Sequence, residues 1–212
     1  MKRLLFPFTI MIVLLTACSK AAAPTQATEP PTAAEAPQTE AATSQATEAP
    51  TKAPVTEVPM PFELTSPVFS AGEAIPERYS CDGLNISPDL FWGNAPDSTQ
   101  SLALIMDDPD APGGTWVHWV MFNIPPDITG LDENIHQGTE FSGLAPTIGR
   151  NSWNQPAYGG PCPPSGEHRY FFKLYALDTV LDLAADADKA ELESAMEGHI
   201  LAETELMGVF SK

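Results

Sequence analysis

Asp-Asp-Pro-Asp-Ala-Pro, residues 107–112, is the stretch that decides how the rest of this chain is interpreted. It lies between two apolar runs, residues 101–106 and 116–122, whose composition is typical of β-strands. Carboxylates and prolines at the end of a buried strand are poor material for a core, but they suit a loop of defined shape. We therefore predict that this loop holds carboxylates at the rim of a cavity.

Two histidines stand near the ends of predicted strands. Side chains alternate between the faces of a strand, so residues two apart share a face. The alternation predicts two sets of neighbours, one in residues 115–124 and one in residues 168–177: Trp116, His118, Val120 and Phe122, and His168, Tyr170, Phe172 and Leu174. Each histidine begins an otherwise apolar face, which places it at the mouth of a pocket. A satisfied structural histidine is the competing interpretation.

The remaining pattern predicts a mainly β domain. Strand-like segments, long loops and one late helix indicate an antiparallel β-sandwich with one or two short helices, one of them near the C-terminus. The helix is predicted over residues 190–197, where Asp188 and Glu191 form a capping box and Gly198 favours a stop. Residues 73–79 are predicted to be extended, and residues 206–210 to return as a last strand.

The first sixty residues differ from the rest in composition. Residues 1–17 have the basic start and apolar run of an export signal, and Leu-Thr-Ala ahead of Cys18 is similar to a bacterial lipobox. Residues 18–59 are nearly all Ala, Thr, Pro, Gln and Glu, so we expect a lipidated Cys18 and a disordered tether. Residues 60–212 then form the domain. An ordinary secretory signal, with Cys18 incidental, is the alternative.

The net charge limits the classes of binding partner, and the cysteine content raises the question of a disulfide. The chain carries a formal charge of −18, which argues against nucleic acid and against broad docking on an anionic membrane. An exported chain with a lipidated Cys18 has two thiols left, Cys81 and Cys162. They could form a disulfide in that compartment, or remain two unpaired buried cysteines.

A loop rich in glycine and proline precedes His168. In this Gly-Pro loop, residues 158–166, the N–H groups of Gly159 and Gly160 could face an anion. Pro163 and Pro164 would supply a rigid apolar wall. A stiff surface loop without a ligand fits the same composition.

These motifs together resemble the phosphatidylethanolamine-binding protein family, in its bacterial Raf kinase inhibitor-like branch. The resemblance is carried by Asp-Pro-Asp-Ala-Pro at 108–112, Trp-Val-His-Trp-Val at 116–120, Gly-Pro-Cys-Pro-Pro at 160–164 and Gly-Glu-His-Arg-Tyr at 166–170. It implies a β-sandwich with a small anion pocket at one end. The implied ligand-binding residues are Asp108, Trp116, His118, Gly160, Pro163, Pro164, His168 and Tyr170.

The chemistry of these residues suits an anion. Protonated His118 or His168 and the Tyr170 hydroxyl could donate hydrogen bonds to a phosphate. Asp108 would orient and charge a histidine, or receive the ammonium group of a ligand. We therefore expect a binding module for phospholipid head groups or other small phosphorylated or anionic molecules, with no cofactor or metal.

Two other functions remain open. A tethered domain could contact an envelope protein partner, as an inhibitor or regulator. A hydrolase is the less favoured alternative, because the sequence has no Gly-x-Ser-x-Gly elbow, zincin helix or phosphate-binding Gly-Lys-Ser loop. The residues that could bind a hydrolytic metal are Asp107, Asp108, Asp110, His118 and His168, for which hydrogen-bonding roles suffice.

Overall fold

The apolar runs of the sequence form the centre of an antiparallel five-stranded sheet. A computed structural model describes residues 60–141 and 143–212, so the predicted signal, Cys18 and the tether lie outside the described residues. The sheet has the order β6-β4-β3-β7-β8. Its strands are β3 (Ser101–Asp108), β4 (Trp116–Ile124), β6 (Thr147–Ile148), β7 (Glu167–Leu177) and β8 (Ile200–Ser211).

A second, three-stranded sheet covers one face of the first. Its order is β1-β2-β5, and its strands are β1 (Glu63–Thr65), β2 (Leu90–Gly93) and β5 (Gly130–Leu131). The core between the sheets joins side chains such as Leu90 and Trp92 to Leu104, Met106 and Phe172. The mainly β, two-sheet prediction is confirmed.

The one α-helix in the described part of the chain covers the other face of the large sheet. Helix α1 spans Lys189–Met196 and has the predicted capping box: the Asp188 carboxylate accepts from the Glu191 N–H, and the Glu191 carboxylate accepts from the Asp188 N–H. Leu192 and Met196 are buried against β3 and β4. Every residue of β3 is therefore buried, because both faces of this central strand are covered. No helix among the described residues is long and apolar enough to cross a membrane.

Residues 73–79 are only partly extended, contrary to the prediction. The Ile75 N–H donates to the Val209 carbonyl, so this part lies along β8. A short 3-10 helix follows at Glu77–Tyr79. Pro76 is the N-cap of this turn, and its carbonyl accepts from the Tyr79 N–H over 2.9 Å.

The predicted face of β4 is wrong beyond His118. Met106 pairs with Trp119 and Asp107 with Val117, so β4 has one extra residue between these pairs. Such a β-bulge shifts the alternation of the side chains that follow. Val120 and Phe122 consequently face helix α1, whereas His118 contacts Tyr170 on the inter-sheet side.

Candidate functional site

Asp108 and His168 form a buried pair at the end of the large sheet. The two residues are 3% and 7% exposed, and the His168 Nδ1–H donates to Asp108 Oδ2 over 2.7 Å. The other carboxylate oxygen, Oδ1, accepts from the Asp110 N–H over 2.8 Å. The pairing of β3 with β7 brings these residues together from 60 positions apart. The carboxylate therefore fixes the histidine, as the sequence predicts for Asp108.

His118 reaches the same region from the opposite neighbour of β3. Its Nδ1 lies 2.7 Å from the carbonyl oxygen of Gly159. A carbonyl can only accept, so Nδ1 carries a proton and Nε2 is left as the acceptor of the neutral ring. Burial lowers the pKa of His118. Burial thus favours the neutral ring in the free protein, and donation to an anion by a protonated His118 stays a prediction.

Tyr170 supplies a buried hydroxyl that the protein leaves unused. Its ring lies edge-on to that of His118, with centroids 5.2 Å apart. Within the distance and angle limits of a hydrogen bond, the hydroxyl has no partner among the described residues, although the Cys162 backbone and the Asp108 carboxylate lie close enough to affect its pKa. Burial, and then the charge of Asp108, raise the pKa of Tyr170, so the hydroxyl stays protonated. A buried donor without a partner costs free energy, and a ligand oxygen would remove that cost.

Asp110 holds the loop after β3 in place. Its carboxylate accepts from the Arg169 side chain at 2.9 and 2.7 Å and from the Arg169 N–H at 3.0 Å. The hydrogen bonds from the Arg169 side chain are the main reason that the pKa of Asp110 falls to about 2. This clamp links the loop to β7 directly beside His168, so Asp110 shapes the site.

In the Gly-Pro loop, the N–H groups of Gly159 and Gly160 bind other parts of the protein, whereas the sequence suggests that they could face an anion. The Gly159 N–H donates to the His118 carbonyl over 2.9 Å, and the Gly160 N–H donates to Asn85 Oδ1 over 2.7 Å. Both donors are engaged by the protein, so we do not assign them to an anion. A Cβ at position 160 would lie 2.2 Å from the Tyr79 carbonyl oxygen, so Gly160 permits close packing. Pro163 is buried and Pro164 is exposed.

A disulfide fastens this loop to the segment after the 3-10 helix. The Cys81 and Cys162 sulfurs are 2.07 Å apart and the Cα atoms 5.4 Å apart. The Cys81 N–H also donates to the Pro161 carbonyl over 3.1 Å. Of the two alternatives open at the sequence level, the structure has the bonded pair.

Trp153 is a site residue that the sequence does not reveal. Its ring stands edge-on to His118 at 5.1 Å and to Trp116 at 5.3 Å, and a Cβ on Gly159 would lie 2.5 Å from it. Trp116 and Trp153 are 37% and 41% exposed. Trp116 thus contacts Trp153 beside His118, and its role as an aromatic wall stays a prediction. Trp153 lies in a stretch rich in Gly, Asn and Pro that has no periodic pattern.

A cavity of about 190 Å³ lies beside the disulfide and the second tryptophan. Its lining includes Trp153, Gly159, Gly160 and the two cysteines. The side chains of Asp108, His118, His168 and Tyr170 do not line it. The structure thus brings these four residues together through hydrogen bonds and ring contacts, next to the cavity.

Among the described residues, no lysine or arginine side chain is without a carboxylate partner. Each Lys or Arg side chain between residues 60 and 212 lies in an ion pair with Asp or Glu: Arg78, Arg150, Arg169, Lys173, Lys189 and Lys212. Within the described ranges, no group of three or more His, Cys, Asp or Glu side chains is placed to hold a metal ion. The chemistry of the site therefore rests on histidine, tyrosine and one carboxylate.

Comparison with known proteins identifies the family and the fold. The family model described as phosphatidylethanolamine-binding protein matches residues 65–211. A UPF0098 protein of Methanothermobacter thermautotrophicus is 52% identical over 149 residues, which cover 70% of this chain and 98% of that protein. A UPF0098 protein of Pyrococcus horikoshii is 45% identical over 150 residues, which cover 69% of this chain and 75% of that protein.

Two crystal structures share the fold. One is a phosphatidylethanolamine-binding protein homologue, CT736, from Chlamydia trachomatis, with a TM-score of 0.66 and 40% identity over 71% of this chain and 97% of that one. The other is YbcL of E. coli, a new member of the mammalian phosphatidylethanolamine-binding protein family. It has a TM-score of 0.66 and 32% identity, and the match covers 71% of this chain and 98% of that one. The chain belongs to the phosphatidylethanolamine-binding protein family.

Proposed function

We propose that the domain is a binding module for small phosphorylated or anionic molecules, phospholipid head groups among them. The observation that carries the proposal is the unpartnered, buried hydroxyl of Tyr170 beside His118 and the Asp108–His168 pair. A ligand oxygen would satisfy this donor. The Nε1 of Trp119 is also buried without a partner among the described residues, but Tyr170 differs from it in lying beside His118 and the Asp108–His168 pair.

The charges of the site favour a particular form of phosphate. A doubly charged phosphate would meet the Asp108 carboxylate with no free Lys or Arg to balance it. Neutral His118 can accept a hydrogen bond at Nε2, so a ligand that carries its own proton fits better. A singly charged phosphate ester or a zwitterionic head group meets both conditions. In the zwitterion, the ammonium could pair with Asp108.

We propose that this module is held at a membrane. Lipidation of Cys18 would anchor the chain on the outer side of a bacterial cell membrane, and residues 18–59 would separate the domain from the bilayer. Attachment to the membrane would raise the local concentration of lipid head groups around the site. We propose binding and not turnover as the activity, since the family is described by what it binds.

The test is a titration of the full chain with inorganic phosphate and with phosphoethanolamine, followed through the His118 and His168 ring resonances. Both resonances should move in the wild type. Tyr170→Phe should weaken binding about tenfold, the loss of roughly one charge-assisted hydrogen bond. It should leave the free energy of unfolding unchanged or raise it, because the free protein loses an unpartnered donor.

His118→Ala is the second variant, and it should abolish the shift of the His168 resonance. Equal binding by wild type and both variants would overturn the assignment of the site. Hydrolysis of a phosphoester by the wild type, lost in His118→Ala, would replace binding by catalysis. If phosphate moves neither histidine resonance and the chain purifies with an envelope protein, the function as a protein-interaction module or inhibitor would be favoured.

A further inference from the structure

The disulfide between Cys81 and Cys162 lies at the surface. Cys162 is exposed and Cys81 is half-buried, although structural disulfides are more often enclosed. A thiol reagent can therefore reach Cys162 Sγ without unfolding the domain. Exposed disulfides are the labile class, whereas enclosed ones resist reduction.

The ammonium group of Lys212 lies close to both sulfurs of the disulfide. Lys212 Nζ lies 3.4 Å from Cys81 Sγ and 3.7 Å from Cys162 Sγ, and 3.0 Å from Asp82 Oδ1. The backbone of Lys212 is fixed by reciprocal hydrogen bonds with Gly166, at 3.0 and 3.1 Å. Thiol–disulfide exchange needs an approaching thiolate and produces a leaving thiolate. On a strongly acidic chain, a cation at this point favours both anions.

From this geometry we infer that the Cys81–Cys162 pair is a thiol–disulfide exchange site for a dithiol, and that Lys212 promotes the exchange. A thiolate of the dithiol attacks the exposed Cys162 sulfur. The bond to Cys81 breaks, and Cys81 leaves as a thiolate that Lys212 stabilises and that then takes a proton. The second thiol of the reagent attacks the mixed disulfide. Cys162 is released as a thiol and the reagent closes its own disulfide, so two electrons pass to the protein.

Reduction of the Cys81–Cys162 disulfide would change the candidate site through the Gly-Pro loop. Gly159 lies three residues before Cys162 and accepts the Nδ1 proton of His118, and its backbone lies against Trp153. Three hydrogen bonds from the described residues remain when the disulfide opens: Cys81 N–H to the Pro161 carbonyl, Gly160 N–H to Asn85, and the Tyr158 hydroxyl to the Tyr79 carbonyl. The loop would thus loosen while staying attached. This consequence for ligand binding rests on the proposed function, whereas the exchange reaction does not.

The test measures the rate at which dithiothreitol reduces the disulfide of the full chain under native conditions. Circular dichroism should stay native while two thiols appear. Lys212→Gln should slow the reduction about threefold or more, and Lys212→Arg should restore the rate. Asp82→Asn, which frees the ammonium from its carboxylate, should speed the reduction. High salt should weaken the Lys212 effect by screening it.

Two outcomes would overturn the inference: reduction no faster than global unfolding, or identical rates for Lys212→Gln and Lys212→Arg. The coupling has its own readout, the His118 ring and Gly159 amide resonances, which should broaden or shift on reduction without any ligand. If those resonances move but phosphate binds neither redox form, the proposed function fails while the exchange site stands.

Discussion

Asp107 and Asp108 are adjacent carboxylates at the end of β3, both nearly inaccessible at 1% and 3% exposure, yet their surroundings differ. Successive strand residues point to opposite faces. Asp107 lies on the helix side, where it forms ion pairs with Lys173, at 3.0 Å, and with Lys189 of α1. Asp108 lies on the side of Tyr170 and pairs with His168.

The difference between the two carboxylates separates a structural role from a binding role. Two ammonium groups neutralise Asp107 and tie helix α1 to the sheet, so this carboxylate has no capacity left for a ligand. Asp108 is held by an imidazole and an amide, neither of which is permanently charged. Its surroundings can therefore change with pH or with a ligand, whereas those of Asp107 cannot.

The largest effect should come from Asp107→Ala. Removing Asp107 leaves Lys173 without its carboxylate partner and Lys189 with Glu193 alone, so we expect the free energy of unfolding to fall by about 3 kcal/mol. Phosphate binding by the folded fraction should be unchanged. Urea denaturation followed by circular dichroism measures the first quantity. A loss below about 1 kcal/mol would show that Asp107 is not the structural member of the pair.

Asp108→Asn should have the opposite effects, a loss of ligand affinity with little loss of stability. Asparagine keeps an acceptor for His168 but carries no charge to stabilise an imidazolium or to receive an ammonium. Affinity for phosphoethanolamine should fall about tenfold, which corresponds to ~1.4 kcal/mol. The free energy of unfolding should change by less than it does in Asp107→Ala. Calorimetric titration gives the affinity, and an unchanged value would contradict the proposed role of Asp108.

Asp110→Asn tests the clamp on the loop that carries Asp108. The ion pair with Arg169 is partly exposed, so we expect a loss of about 1 kcal/mol of unfolding free energy. The pKa of Asp110 is about 2 in the folded protein, below its ordinary 3.8. The contribution is therefore complete above about pH 4 and is lost as the pH falls toward 2. Wild type and variant should converge in stability at that acidic end.

The smallest effect should be a pH dependence of binding due to His118. Burial lowers the pKa of this ring in the free protein, and a bound anion favours the protonated ring. Binding therefore takes up a proton, and affinity should rise as the pH falls below the ordinary histidine value. We expect phosphate to bind about threefold more tightly at pH 5 than at pH 7. An affinity that is the same at both pH values would contradict the assignment to His118.

Most of the architecture follows from local patterns. The strand runs, the capping box at Asp188 and the burial of both faces of β3 are all encoded in short stretches of sequence, where apolar spacing and capping chemistry decide the outcome. The pairing of Asp108 with His168 could also be anticipated, because both stand at strand ends beside a shaped loop.

What the sequence conceals depends on backbone geometry. The bulge in β4 adds one residue to the pairing without a glycine or proline to mark it, so Val120 and Phe122 were assigned to the wrong face. Trp153 comes from an irregular segment, and only the tertiary fold brings it onto His118. The engaged N–H groups of Gly159 and Gly160 depend on partners distant in sequence, which composition cannot identify.

The bulge makes the site sensitive to insertions and deletions in a way that substitutions do not reproduce. Deleting one residue between Val117 and Trp119 would restore a regular ladder with β3, and the apolar faces of β4 would still meet their cores. No residue would then take the place of His118 beside Tyr170. A homologue could thus keep the sandwich and lose the binding site by a change in residue count alone.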